Sequence, residues 1–233
     1  MDEFKSGLEP LASAGKLGAL LAQFPPSFKD GPGGRAYLEW LLTTFREFPI
    51  AVELRHSSWS DHVGETLELL NAHGAAWTQI DEPKFRFSIR QNWLPNVTTF
   101  YYARLHGRNA AQWWHHGASE DRYNYLYSED ELRPIAETAV SAKALVKKAY
   151  LYMNNHFAAK SVANAVAVKH LAGETISGDF PPELVERYPF LKPLVTENAE
   201  PISVTKEAGP AKLELSADPP AAPRTVRASR KPS

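Results

Sequence analysis

Apolar positions in this chain fall into short unbroken runs, separated by longer stretches with helical spacing. Residues 16–24 (KLGALLAQF), 50–54 (IAVEL), 75–80 (AAWTQI), 98–105 (TTFYYARL) and 150–153 (YLYM) have strand length. Runs without alternation suit strands covered on both faces, as in parallel sheets. The intervening stretches predict helices. Residues 1–15 place Phe4, Leu8, Leu11 and Ala12 on one stripe. Residues 33–48 point Tyr37, Trp40, Leu41, Thr44, Phe45 and Phe48 inward, and residues 61–73 align Val63, Leu67 and Leu70. A helix from Ser128 to about Lys148 opens on the capping box SEDE, and another spans 158–171. Pro25, Pro26, Pro49 and Gly74 close elements sharply. Residues 81–98 read as a Pro- and aromatic-containing connection without a helix, and 180–194 hold a short helix after Pro181 and Pro182.

The resulting order is α, β, α, β, α, β, β, α, β, α, which argues for a parallel sheet with helices outside. An open doubly wound sheet and a (β/α)8 barrel both satisfy it. No GxGxxG or GxxxxGK[ST] fingerprint follows any strand, which weakens the nucleotide-binding open sheet. Polar residues at every strand end favour a barrel-like rim. The expected architecture is α/β: a partial TIM-type (β/α)8-like barrel of about five parallel strands with outer helices over 1–195. Beyond it, 196–233 are rich in Pro, Ala, Ser and charge, and cannot offset their ordering entropy; a disordered tail is expected. Its basic end (RTVRASRKPS) reads as a solvated tail.

Composition narrows the function only modestly. With 233 residues, 43% of them hydrophobic, there is enough apolar material for one real core. A net charge of −1 gives no global pull toward nucleic acid or membrane, so any anion site is local. The absence of cysteine removes disulfides, thiolate metal sites and cysteine nucleophiles. No run approaches the roughly 20 apolar residues that span a bilayer, so a cytoplasmic protein is expected.

Candidate chemistry gathers where strands end. Glu53 and Arg55 flank Leu54 and share a face, with His56 beside them. Arg104 and His106 share a face of the strand at 98–105, followed by Gly107, Arg108 and Asn109. Asp81 ends the third run; Asn154, Asn155 and His156 end the last, and Lys160 lies in the first turn of the helix after it. Arginine forks suit anionic oxygen, and a histidine near neutrality suits proton transfer. Glu53, Asp81 and His106 are therefore the acid–base candidates. Arg55, His56, Arg104, Arg108, Asn109, Asn154, Asn155, His156 and Lys160 are the ligand-binding candidates for an anionic small molecule or a nucleic-acid backbone. Glu53, Asp81, His106 and His156 include metal-type donors, but no HxH or HExxH spacing supports a metal, and none is assigned. Against each assignment stands a structural role: a buried Glu53–Arg55 or Glu53–Arg104 pair holding strands together, or a histidine hydrogen-bonded to backbone.

The motifs AVELRHSSW (51–59), QFPPSF (23–28), YYARLHGRN (101–109), YNYLYS (123–128) and MNNHFAAKSVANA (153–165) together resemble the DUF72 (YecE-like) family over about residues 4–192. The resemblance implies a TIM-barrel type of fold and a site at the strand ends, but no reaction. It also implies that this chain carries strands four to eight, since the first three strands of the pattern have no counterpart here. The family usually has glycine where this chain has Ala158 and Ala159.

Overall fold

Each apolar run forms a strand parallel to the strand of the preceding run, with one interruption. The computed structural model describes residues 2–91, 99–113 and 122–195. The expected disordered tail and Thr98, the expected strand start, lie outside them. β1 (Leu20–Gln23), β2 (Ile50–Glu53) and β3 (Ala76–Trp77) form one parallel sheet; β4 (Gln79–Asp81), β5 (Tyr101–Leu105) and β6 (Ala149–Met153) form a second. The run at 75–80 is divided at Thr78, and the Gln91 side chain explains why. Its amide nitrogen donates to the Thr78 carbonyl and its oxygen accepts from the Ile80 amide, both at 2.9 Å, so a side chain stands where a strand partner would. Strand order follows chain order without the reversal that marks a doubly wound sheet. The described strands form no closed barrel: β1 and β6 each have one neighbour.

Around the strands lie α1 (Asp2–Ser13), α2 (Pro32–Thr44), α3 (Ser57–Asp61), α4 (Val63–Ala72), α5 (Glu129–Lys143), α6 (Lys160–Leu171), α7 (Pro182–Arg187) and α8 (Lys192–Val195). The main core unites Leu38, Leu42, Val52, Leu54, Trp59, Leu70, Trp77 and Ile89. Full burial of each such aliphatic chain stabilises by about 1.5–3 kcal/mol. Trp59 is sealed in this core, its indole donating to the Phe28 carbonyl at 3.0 Å. At α5 the capping box forms as expected: the Ser128 amide donates to Glu131 at 2.9 Å and the Glu131 amide to the Ser128 hydroxyl at 3.4 Å.

Three expectations need correction. The stripe of α1 enters no core; Phe4 meets Phe45 edge-on while remaining largely exposed. In α2 Leu41 and Phe45 pack against the core as expected, but its fully buried residues are Leu38 and Leu42, whereas Tyr37 and Trp40 lean on each other at the surface. The large aromatic faces of Tyr37 and Trp40 widened the expected inward stripe beyond the buried one. Strand β1, expected to be fully buried, is only half-buried because one of its edges is unpaired. The short helix α3 had no apolar period to announce it. It begins where the His56 ring nitrogen Nδ1 accepts from the Ser58 amide at 3.1 Å.

Candidate active site

In each sheet the strands run parallel, so their C-terminal residues collect at one rim. There β2 delivers Glu53, which is fully buried. Its Oε1 accepts from Arg55 Nε at 2.8 Å and Nη2 at 2.6 Å, and its Oε2 accepts from Arg104 Nη1 at 2.6 Å. Arg55 Nη1 donates to Glu82 at 2.9 Å, so one guanidinium bridges two buried carboxyls. Arg104 Nη1 also donates to the Gln23 side-chain oxygen at 2.7 Å.

His106 and Asn154 continue the β4–β5–β6 ladder past its end. The His106 amide donates to the Asp81 carbonyl at 2.8 Å, and the Asn154 amide to the Leu105 carbonyl at 2.7 Å. The His106 ring thereby reaches the cluster: Nε2 lies 3.2 Å from Arg55 Nη2 and 3.5 Å from Glu53 Oε1, and Nδ1 lies 3.0 Å from the Asn154 amide. Asn154 Nδ2 donates to Nδ1, so the neutral ring carries its proton on Nε2, facing Glu53 Oε1.

The electrostatics separate the two carboxyls. Burial works against ionisation of Glu53, but the His106 hydrogen bond and the Arg55 and Arg104 charges outweigh it and hold the carboxyl at about 2. At Glu82 burial dominates and pushes the carboxyl above its ordinary range, with Arg55 only partly offsetting it. Burial also pushes His106 down against the pull of Glu53, leaving the ring neutral at pH 7. Carboxyls driven apart by their surroundings are the usual way one site obtains a fixed anion and a proton carrier.

Asp81, chosen as an acid–base candidate from the sequence, lies in a second network. Its oxygens accept from Arg108 Nε at 2.9 Å and Nη2 at 2.7 Å, and from the Tyr127 hydroxyl at 2.7 Å. Tyr127 in turn accepts from the Gly107 amide at 2.8 Å, and Arg108 Nη1 donates to Glu131 at 3.2 Å. Burial and the adjacent Asp81 raise the Tyr127 hydroxyl far above its ordinary range. Asp81 thus fixes the turn that Gly107 makes at φ +91°.

The remaining candidates are spread more widely. Asn155 is buried and donates at 2.8 Å to both the Tyr125 carbonyl and Asn164 Oδ1. Asn164 clasps the Tyr127 backbone from both sides, accepting at 3.1 Å and donating at 3.0 Å. His156 is exposed against the Tyr123 ring, and Lys160 donates to Asn124. His56 caps α3, and Asn109 precedes a short 3-10 turn at Ala110–Gln112. Among the described residues, no three His, Asp or Glu side chains gather closely enough to hold a metal ion. Nor is any helix there long and apolar enough to cross a membrane.

Glu82 is not among the residues expected from the sequence, where Asp81 stands as the acid at the strand end and Glu82 directly follows it. Alternation carried the usable signal, since Glu82 shares the face of Ile80, which is itself buried.

Comparison with known proteins places the chain in a family. The family described as "Protein of unknown function DUF72" matches residues 1–185. The UPF0759 protein YunF of Bacillus subtilis is 28% identical over 194 residues, covering 78% of this chain and 67% of that protein. The crystal structure of a DUF72 family protein from Thermotoga maritima is similar, with a TM-score of 0.65 and 36% identity, over 72% of this chain and 62% of that one. A DUF72 family protein from Enterococcus faecalis gives a TM-score of 0.68 at 26% identity, over 76% of this chain and 65% of that one. The chain therefore spans less than two thirds of either solved structure. The family model spans most of the chain and the solved structures share its fold, and the chain belongs to the DUF72 family.

Proposed function

We propose that the rim is the proton-transfer centre of a (β/α)8-like enzyme acting on an anionic, phosphate-bearing ligand. The observation that carries this reading is the Arg55 bridge between Glu53, held ionised, and Glu82, held toward its neutral form. Glu53 is the fixed anion that orients Arg55 and Arg104. Glu82 carries the proton, and neutral His106, steadied by Asn154, is a second proton carrier on the same Arg55 guanidinium. Arg104 spends the one nitrogen Nη1 on both Glu53 and Gln23, so the rest of its fork is the best placed of the rim guanidiniums to meet anionic oxygen. Arg55 and Arg108 are each tied to two carboxyls, so in this reading they position acids rather than bind ligand.

Assay of the chain against sugar phosphates and phosphodiesters, with and without Mn²⁺ or Zn²⁺, tests the proposal. Turnover should fall at least about a hundredfold in Glu82→Gln and in His106→Ala, a typical contribution of general acid–base catalysis. Turnover unchanged in both variants refutes it.

One observation favours a second reading, a non-catalytic ligand-binding scaffold. The Glu53–Arg55–Arg104 cluster compensates its own charge and lies buried, the arrangement of an architectural ion pair. In that case ligand affinity survives Glu82→Gln and no substrate turns over.

A further inference from the structure

Unspent positive charge lies beside the rim, on the connection after β4. Residues 84–90 read KFRFSIR, interleaving cations with aromatic and apolar side chains. The segment is laced to the end of β2: the Ser57 amide donates to the Phe87 carbonyl at 2.8 Å, the Ile89 amide donates to the Arg55 carbonyl at 2.9 Å, and His56 and Ser88 form an antiparallel bridge. The Phe85 amide is held by the Ser88 hydroxyl at 2.9 Å and the Arg90 amide by the Ser60 hydroxyl at 3.1 Å. This lacing fixes a groove of about 570 Å³ lined by Lys84, Phe85, Arg86, Ile89, Arg90 and Gln91, together with Ser60 and Ser88.

Its cations differ from those of the rim cluster. Arg86 is exposed and has no hydrogen-bond or ion-pair partner among the described residues. Lys84 donates to the Ile80 carbonyl at 3.4 Å and feels the charges of Glu82 and Asp81, but forms no ion pair among the described residues. Arg90 meets Asp61 at 3.2 Å in a surface pair, which water screens and a better anion displaces. Three cations around one bounded groove, beside a half-buried Phe85 stacked on Phe87 at 5.7 Å, match a phosphate attached to a flat ring. Among the described residues the groove's lining adds no further cation, Arg90 already meets Asp61, and the whole chain carries a net charge of −1, which argues against a track for a polymer.

We propose that the Lys84–Arg86–Arg90 groove is a docking site for a nucleoside phosphate, held by its phosphate on the cations and by its base along Phe85. The proposal deepens the proton-transfer reading by naming a substrate class, since Glu82 lies two residues from Lys84. It does not need that reading in order to be tested.

The experiment is a fluorescence anisotropy titration of the full 233-residue chain with a labelled nucleoside monophosphate, competed by inorganic phosphate and by a ten-nucleotide single strand. The expected result is saturable nucleotide binding that free phosphate displaces. Arg86→Ala should weaken it about tenfold, and Lys84→Ala with Arg86→Ala by more, as expected for lost charge-assisted hydrogen bonds. Arg86 is exposed and has no partner among the described residues, so an unchanged thermal midpoint verifies the fold of its variant. Affinity indifferent to Arg86 and Lys84, or binding of the single strand alone, overturns the proposal. Binding that depends on Arg86 without turnover of any substrate supports this site and sinks the enzyme reading. Turnover abolished by Glu82→Gln with nucleotide affinity indifferent to Arg86 does the reverse.

Discussion

Replacing Ala158 and Ala159 with glycine should make the protein more stable, although both changes remove a methyl group. The two alanines stand side by side in the left-handed region, at φ +53° and φ +63°, just ahead of α6. An L-residue with a Cβ loses roughly 1–2 kcal/mol there, while glycine adopts the same angles freely. Against this gain, glycine widens the unfolded ensemble by about 0.5–1 kcal/mol. At the exposed Ala159 the net is a stabilisation of about 0.5–1 kcal/mol. At Ala158 it is smaller, because the half-buried methyl is also lost; the Tyr188 hydroxyl bond to its carbonyl, 2.6 Å, survives the change. The double variant should gain about 1–1.5 kcal/mol, or a midpoint about 3–5 °C higher for a domain of this size. Thermal and urea unfolding of Ala159→Gly, the double variant and an ordinary helix control, Ala165→Gly, provide the assay. The control should lose about 1 kcal/mol. If Ala159→Gly loses as much as Ala165→Gly, the left-handed geometry is not what limits stability at this turn and the reasoning fails.

Three further outcomes follow from the site. Glu53 and His106 both have depressed folded-state values, so each contributes stability at higher pH that is lost on acidification: His106 as pH falls below about 6.5, Glu53 between its ordinary 4.5 and about 2. Glu82 is raised and acts in the opposite sense above 4.5. Urea midpoints measured across pH should therefore fall below pH 6.5, and His106→Gln should remove the upper part of that decline; an unchanged profile counts against the neutral buried ring. Tyr127→Phe deletes the bonds to Asp81 and from the Gly107 amide, and should lower stability by about 1–3 kcal/mol in urea unfolding. Gly107→Ala should cost more than about 2 kcal/mol, since its φ is +91° and an added Cβ would lie 2.7 Å from Tyr125 Cβ; a variant as stable as the parent excludes this tight turn.

Much of this was legible in the chain because it rests on local rules. The alternation of buried runs with helical spacing announced the parallel strands, and SEDE at 128–131 announced the start of α5 to the residue. The alternation of Glu53 with Arg55 and of Arg104 with His106 announced the rim cluster, and these four side chains do meet. What stayed hidden depends on tertiary partners. Asp81 and Glu82 are adjacent acids in sequence, and only the positions of Arg108, Tyr127 and Arg55 separate their surroundings. The inward face of α2 was misread in part because Tyr37 and Trp40 are apolar enough to fit a core, yet lean on each other, tilted, with about half of each exposed. Gln91 gave no periodic signal at all, since its side chain does what a strand normally does.

That last residue ties two events together. The Ile80 amide is protected by the side chain of a connecting segment, so its hydrogen exchange reports the breathing of that segment rather than of the sheet. Lys84, Arg86 and Arg90 all lie between Ile80 and Gln91 or beside them. A ligand seated on them should slow exchange at Ile80 while leaving the ladder-bonded amides of β2 unaffected, which makes one backbone proton a reporter of occupancy.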